Sequence, residues 1–502
     1  MKHDTPVRPA LRYGAALSVF LLTGCLSGAF VARDRPLGYL GGLADTWFEL
    51  GLNLASRRTL GIGGDPTVYK PPGYPGFVAL SILTLAGPPP IPEGKSRLLP
   101  LRSDLALLDT PFDLGYLEEA ARAVYIFQCL VLGLSAATLF LWLSTRFRLE
   151  VCLGLSLVFG LNPYTVVHAG FLHYAIVHMF LLIASCWLLQ VALARPSILA
   201  PAGALFGLAT LVRPVTLILP PFVLALFLLR RKGSLGRRVA EWGVWLCGMA
   251  LVIGPYTVRN YRLSHRAIPV NAQAWRNIWG ATTLDAPIDP DHFRWKDVRH
   301  EIMKLEARVS GNPSDWGWEP YGVKENLEIE DAFERKALRN LRHNPGVYLR
   351  NAVRSFLALQ IDIDAVLVKV FQHLQHPPVT PKFLKGWFWP GTVQDFEPGA
   401  ASGGTRWLFW ILTGLALLAP LSAKRSFLLV PALVHLSISV AHAVTWMDFL
   451  YYYVKVPLLF VFACAGVDAL FDRSIPRTRM RLGPLVLVGL LASTLILDAL
   501  VF

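Results

Sequence analysis

Apolar residues fall in runs of roughly 15 to 25 along nearly the whole chain, close to the length that carries a helix across about 30 Å of hydrocarbon. The runs lie at 14–31, 121–144, 150–168, 174–194, 198–212, 214–229, 240–257, 405–421, 426–446, 450–471 and 483–502. They predict an all-α polytopic membrane protein with about 11 transmembrane helices. Two long segments, 32–120 and 258–404, stand between them. The pattern divides the chain into a membrane module over 1–257 that includes the first long loop 32–120, a loop region over 258–404, and a C-terminal membrane module over 405–502. A further apolar run, 74–87, is too short to cross and suits an interfacial or re-entrant helix.

The long segments have patterns of their own. Leu43, Trp47, Leu50 and Leu54 recur at helical spacing and form one stripe, while Asp45 and Glu49, four apart, share another face. This predicts an amphipathic helix lying on the membrane with its acids toward water or a cleft. Thr59 to Asp65 (TLGIGGD) breaks it, and Pro71-Pro72-Gly73 opens the next helix. In the second segment Phe333 to Leu341 reads as a helix, Asn344-Pro345-Gly346 as its stop, and 347–361 as an amphipathic helix on the bilayer. Asp362 and Asp364, at its end, read as solvated acids. Residues 88–118 are rich in Pro and Leu and carry no motif.

At 54% hydrophobic residues and a mean hydropathy of +0.45, the chain is too apolar for a soluble protein. Its net charge of +14 invites a nucleic-acid reading, but the basic residues sit in the short loops. Arg8 and Arg12, Arg146 and Arg148, Arg195, the Arg230–Arg238 cluster, Lys424 and Arg425, and Arg473 to Arg481 all flank apolar runs. Lys and Arg of short loops stay cytoplasmic. All fall on one side if 74–87 does not cross. The N-terminus is then cytoplasmic, 32–120 and 258–404 face outward, and nucleic acid is excluded as a partner. All six cysteines (Cys25, Cys129, Cys152, Cys186, Cys247, Cys464) lie within the apolar runs, which excludes disulfides in the outer loops, and no Cys/His pair has zinc spacing. Leu22-Thr23-Gly24-Cys25 looks like a lipoprotein processing site but reads as part of a membrane helix.

The chemistry concentrates at Asp45 to Pro75. A helix N-terminus offers unpaired amides and partial positive charge, so an anion beside Lys70 would meet both. An acid and a lysine at a membrane surface suit a lipid-linked phosphate. The plainer alternative is that Lys70 snorkels to head groups and Asp45 caps a surface helix. Arg213, beside Pro214 in apolar sequence, is a functional-site candidate unless it lies near the interface. His168, His173 and His178 are spaced by five, so they do not share a helix face as metal ligands four apart would.

Five segments occur in a set order: YKPPGYP after an acidic helix, GLATLVRPVTLILPP, GPYTVRNYRLSHRAIPVNAQAWRNIWGAT, ERKALRNLRHNPGVYLRNAVRSFLAL and YYYVKVPLLFVFACAGV. From about Asp45 to Asp468 the chain resembles bacterial members of the GT-C glycosyltransferase superfamily related to protein O-mannosyltransferases and the lipid A aminoarabinose transferase. The resemblance implies an integral enzyme of the inner (plasma) membrane that transfers a sugar from a polyprenyl-phosphate donor to a lipid, glycan or protein acceptor of the envelope, at the extracytoplasmic face and with inversion. By motif position the catalytic acid is Asp45. Lys70 would hold the donor phosphate, with Arg259 and Asn260 close to it, and Tyr451 matches the tyrosine of an Arg-Tyr pair. Two departures stand out. The second outer turn, AGFLHYAIV, has no carboxylate, so that Glu49 assists Asp45, His173 takes over, or the chemistry differs. The arginine before Tyr451 is Leu450, and its role passes to Lys455. No cofactor is obligatory; a divalent metal is compatible with the outer acids, and no metal ligand is assigned. The competing readings are a lipid or solute transporter or flippase, which would show paired broken helices and mid-bilayer charges in both halves, and a scaffold subunit.

Overall fold

The computed structural model describes residues 9–33, 46–62, 65–90, 114–229, 233–282, 322–361, 403–422, 425–445 and 453–471. Apart from one short hairpin, its elements are helices. They are α1 Pro9–Arg33, α2 Trp47–Arg57, α3 Gly73–Leu85, α4 Leu114–Leu143, α5 Leu149–Leu161, α6 Pro163–Ala169, α7 Ala175–Ala192 and α8 Leu199–Val212. There follow α9 Leu219–Leu229, α10 Leu235–Ser264, α11 Ala274–Thr282, α12 Val323–His343, α13 Pro345–Ile361, α14 Gly403–Leu418, α15 Leu429–Val444 and α16 Val456–Phe471. Among the described residues five helices are long and apolar enough to cross a membrane: Pro9–Ala29, Gly115–Leu143, Ala175–Ala192, Leu235–Ser264 and Ser426–Val444. The chain is an all-α polytopic membrane protein.

Ten of the predicted runs coincide with helical segments, and the eleventh, 483–502, lies outside the described residues. The run 150–168 is not one helix. It breaks at Asn162, which is extended (φ −67°, ψ 146°) before Pro163, as the ring of a following proline requires. The Asn162 Oδ1 then accepts from the Thr165 amide at 3.1 Å and starts α6. The same rule ends α8 at Arg213, extended at φ −149°, ψ 121° ahead of Pro214. Asn344 closes α12, and Pro345, with no amide to satisfy, opens α13.

Small residues let the helices approach. A Cβ on Gly203 of α8 would overlap the Trp245 carbonyl of α10, and one on Gly248 would overlap Ala200 in return. Between apolar helices such close backbone contact supplies the attraction that water expulsion cannot. The C-terminal helices join the same core. Val434, Tyr453 and Phe460 share it with Leu139, Leu182 and Phe206, and α15 packs on α7 and α9 while α16 packs on α5.

The amphipathic helix at Leu43–Ser56 is observed as α2, but it is not a surface helix. Residues Trp47 to Asn53 are all buried, because α3, the hairpin and α10 cover it. Glu49, expected toward water or a cleft, is 2% exposed. The TLGIGGD break contains the hairpin, Gly61–Ile62 against Asp65–Pro66, tied to α2 by the Asn53 Nδ2 donating to the Gly61 carbonyl at 2.9 Å.

A polar module completes the described structure. Trp279 of α11 and Ile329, Phe333 and Ala337 of α12 form a second small core. The Tyr348 hydroxyl of α13 donates to the Val444 carbonyl at 2.8 Å, which fastens the module to α15.

Candidate functional site

Lys70 ends a strap, residues 67–70, that is held by its backbone. The Arg259 guanidinium donates to the carbonyls of Thr67 and Leu60, each at 3.0 Å. The Ala272 amide donates to the Val68 carbonyl at 2.9 Å, and the Tyr256 hydroxyl to the Lys70 carbonyl at 3.3 Å. Asn260, buried at the foot of this group, donates to the Val270 and Ile268 carbonyls. Resemblance assigns Arg259 to the donor phosphate; in the structure these bonds commit much of its guanidinium to the strap.

The Lys70 ammonium is thereby carried over the Trp47 ring, 4.7 Å from its centroid, and 5.3 Å from that of Tyr69. Just beyond it, Pro71-Pro72 leads into α3, whose first residue abuts α8. A Cβ on Gly73 would stand 2.7 Å from the Val212 amide nitrogen, so this position takes no larger side chain. Because α3 starts where α8 ends, Lys70 and Arg213 come to neighbouring parts of one interior.

An aromatic wall connects them. Trp47 packs edge-on to Tyr174 (5.2 Å) and to Tyr74 (5.9 Å). Arg213 lies over Tyr174 at 5.2 Å and over Tyr453 at 5.4 Å. Its Nη1 donates to the Tyr453 hydroxyl at 2.9 Å, and that oxygen is 3.2 Å from His178 Nδ1. Lys70 and Arg213 are both 7% exposed. A buried cation is costly unless compensated, and ring faces supply part of the compensation.

The three histidines converge. His168, His173 and His178 have ring centroids 6.2, 6.3 and 5.9 Å from that of Tyr453. The spacing of five misleads because α6 ends at Ala169 and α7 starts at Ala175, with a turn between them. Gln128 of α4 clasps that turn. It accepts from the Tyr74 hydroxyl (2.8 Å) and donates to the Ala169 and Phe171 carbonyls at 2.8 and 2.6 Å. Lys455 is also buried, and with Arg213 and His178 it lies within electrostatic reach of His442. Among the described residues no three His, Cys, Asp or Glu side chains are grouped to hold a metal ion.

Of the residues singled out from sequence, Lys70, Arg213 and His173 meet at the aromatic wall, and Lys455 flanks it. Glu49 stands in the first turn of α2, where a carboxylate favours the helix dipole. Asp45 and Tyr451 lie outside the described residues. Thr46, between Asp45 and Trp47, is held at φ 60°, ψ 2°, a left-handed conformation that costs a residue with a Cβ about 1–2 kcal/mol. Strain of this kind gathers at functional sites. Sequence reasoning passed over Tyr174, Tyr453 and His178. The only signal for them was aromatic density, HYAIVH in the second turn and the Tyr451–Tyr453 run, and neither says which ring points inward.

No family model and no curated protein matches the chain. Similar solved structures include the oligosaccharyltransferase AglB of Archaeoglobus fulgidus in complex with an inhibitory peptide and a dolichol-phosphate, at 14% identity and a TM-score of 0.47, covering 97% of this chain and 56% of that one. Another is ArnT of Cupriavidus metallidurans bound to undecaprenyl phosphate, at 13% identity and a TM-score of 0.37, covering 92% of this chain and 77% of that one. The chain spans 56% of the archaeal protein's length.

Proposed function

We propose that the chain is a membrane glycosyltransferase that takes a sugar from a polyprenyl-phosphate donor and passes it to an envelope acceptor at the extracytoplasmic face. One observation carries the reading: two buried cations, Lys70 and Arg213, stand at the abutting ends of α3 and α8 and reach a single aromatic wall. Such an arrangement suits an anion that arrives from the bilayer with an apolar tail. The ordered motifs described above support the same chemistry.

In this mechanism the Asp45 carboxylate takes the proton of the acceptor hydroxyl while its oxygen attacks the anomeric carbon of the sugar. The bond from that carbon to the phosphate oxygen breaks, so the configuration inverts and polyprenyl phosphate leaves as an anion. Lys70 and Arg213 stabilise the charge gathering on it, and they do so most strongly where water is scarce. Arg259 acts at one remove by fixing the strap that carries Lys70. Glu49, His173, Tyr451 and Lys455 are secondary members of the site, with no metal required.

The test is transfer from a polyprenyl-phosphate sugar in the purified, reconstituted protein. Lys70→Ala is expected to lower turnover about 10²- to 10³-fold, and Asp45→Asn by at least as much. Near-normal turnover in both variants would reject the mechanism.

A further inference from the structure

The strap that ends in Lys70 is also gripped by the polar module, through bonds that the proposed reaction leaves unexplained. Arg276 of α11, 5% exposed, donates from Nη1 to the Tyr69 hydroxyl at 2.7 Å. Asn326 of α12 donates to the Thr67 Oγ1 at 3.2 Å, and Asn271 to the Tyr69 carbonyl at 3.3 Å. Every strap residue before Lys70 is therefore bonded to the segment 271–276 or to α12. The two are joined by the Trp279–Phe333 core, by Asn340 donating to the Thr282 Oγ1 at 3.1 Å, and at the strap end by Glu330, on α12 and 8% exposed. Its Oε2 accepts from the Trp275 amide, in the first turn of α11, at 3.0 Å.

We propose that α11 and α12 form a clamp that sets the position of Lys70, with Arg276 as the positioning residue acting through Tyr69 and with the charge on Glu330 deciding whether the clamp is closed. The functional weight of the clamp rests on the role given to Lys70 above; its existence does not. The charged groups that act on Glu330 are Arg276, across the α11 interface, and Asp331 on its own helix. Asp331 is itself engaged by Arg266 beyond the end of α10, with Arg335 and Glu334 close to that pair.

The direction of the response follows from linkage. Burial pushes the Glu330 carboxyl up to about 7, against the Trp275 amide and the Arg276 charge, which pull it down. In an opened clamp the same group would meet water and titrate at its ordinary value. Ionisation therefore favours the open form, and the closed clamp weakens as pH rises from about 4.5 and has lost this contribution once pH passes about 7.

Hydrogen exchange of the full-length protein in nanodiscs reads this without any substrate. Wild type is compared with Glu330→Gln, whose amide oxygen still accepts from Trp275 and which carries no charge. At pH 8 the amides of 67–70 and 275–282 are expected to exchange faster in wild type than in the variant by about two orders of magnitude, since the interval from the ordinary 4.5 to about 7 is about 2.5 decades in the opening equilibrium. At pH 6 the difference should shrink by about ten-fold, and below pH 4.5 the two should coincide. Equal exchange at both pH values overturns the clamp. Tyr69→Phe serves as the second variant, since it removes only the hydroxyl that Arg276 grips. It should expose 67–70 at pH 6 while leaving the core of α11 protected, and unchanged exchange there would also overturn the proposal. In transfer assays the wild-type rate relative to that of Glu330→Gln should fall as pH rises toward 7 and level off above it. Loss of transfer at every pH with the exchange difference intact would remove the enzymatic reading and leave the clamp standing.

Discussion

The aromatic wall and the polar module hold their cations by different means. Around Tyr453, Arg213 and Lys455 are enclosed beside three histidines, and Arg213 meets two ring faces and the Tyr453 hydroxyl. In the module, Arg266 meets the Asp331 carboxylate in two parallel hydrogen bonds, the longer at 2.8 Å, and this holds the Asp331 carboxyl below the usual carboxylate range. A partly exposed pair is screened by water. A cation laid over ring faces in a low-dielectric interior acts more strongly on an arriving anion. The comparison teaches where to look for chemistry in a chain this basic: at charge that folding encloses, and not at charge that is merely abundant.

The comparison can be broken at Glu330 first. Its carboxyl titrates at about 7 in the fold against an ordinary 4.5, so its contribution to stability is complete below about 4.5 and is lost as pH rises through 7. The full difference is about 3 kcal/mol. Chemical unfolding of the wild type should show that loss between pH 4.5 and 8, and Glu330→Gln should be flat across the same range. The wall is tested next by Tyr453→Phe, which deprives Arg213 Nη1 and His178 Nδ1 of one shared partner. A cost of about 1–2 kcal/mol is expected in detergent unfolding, together with a loss of transfer that module variants of equal stability do not show. The smallest effect belongs to Asp331→Ala. The pair with Arg266 is partly exposed, at 49% and 30% for the two side chains, and its removal should cost at most about 1 kcal/mol, less at high salt. A larger loss would mean that this pair is as enclosed electrostatically as the wall.

Some of the site was legible before any coordinates. Lys70 at the entrance of α3 follows from Pro71-Pro72-Gly73, since two prolines and a glycine can only open a helix there. Arg213 in apolar sequence announced itself by its cost. Other expectations failed for identifiable reasons. The periodicity at Leu43–Leu54 reports that one face of α2 is apolar, but not that α3 and the hairpin pack against the helix or that Glu49, on another face, is buried as well. Histidine spacing tests only for a shared helix face, whereas the turn at 170–174 between α6 and α7 brings the three rings together.

By itself the sequence determined the helices and their ends, because apolar run length, proline and small residues act locally on the backbone. It also settled that the chain belongs in a bilayer. Only the tertiary structure decided which polar groups meet: Arg213 with Tyr453, 240 residues apart, Arg276 with Tyr69, 207 apart, and Arg259 with the Thr67 and Leu60 carbonyls. Such pairings depend on how the glycine-lined helices cross and on which face each turns inward, and no local pattern encodes that geometry, because the free energy that selects it is summed over the whole packed interior.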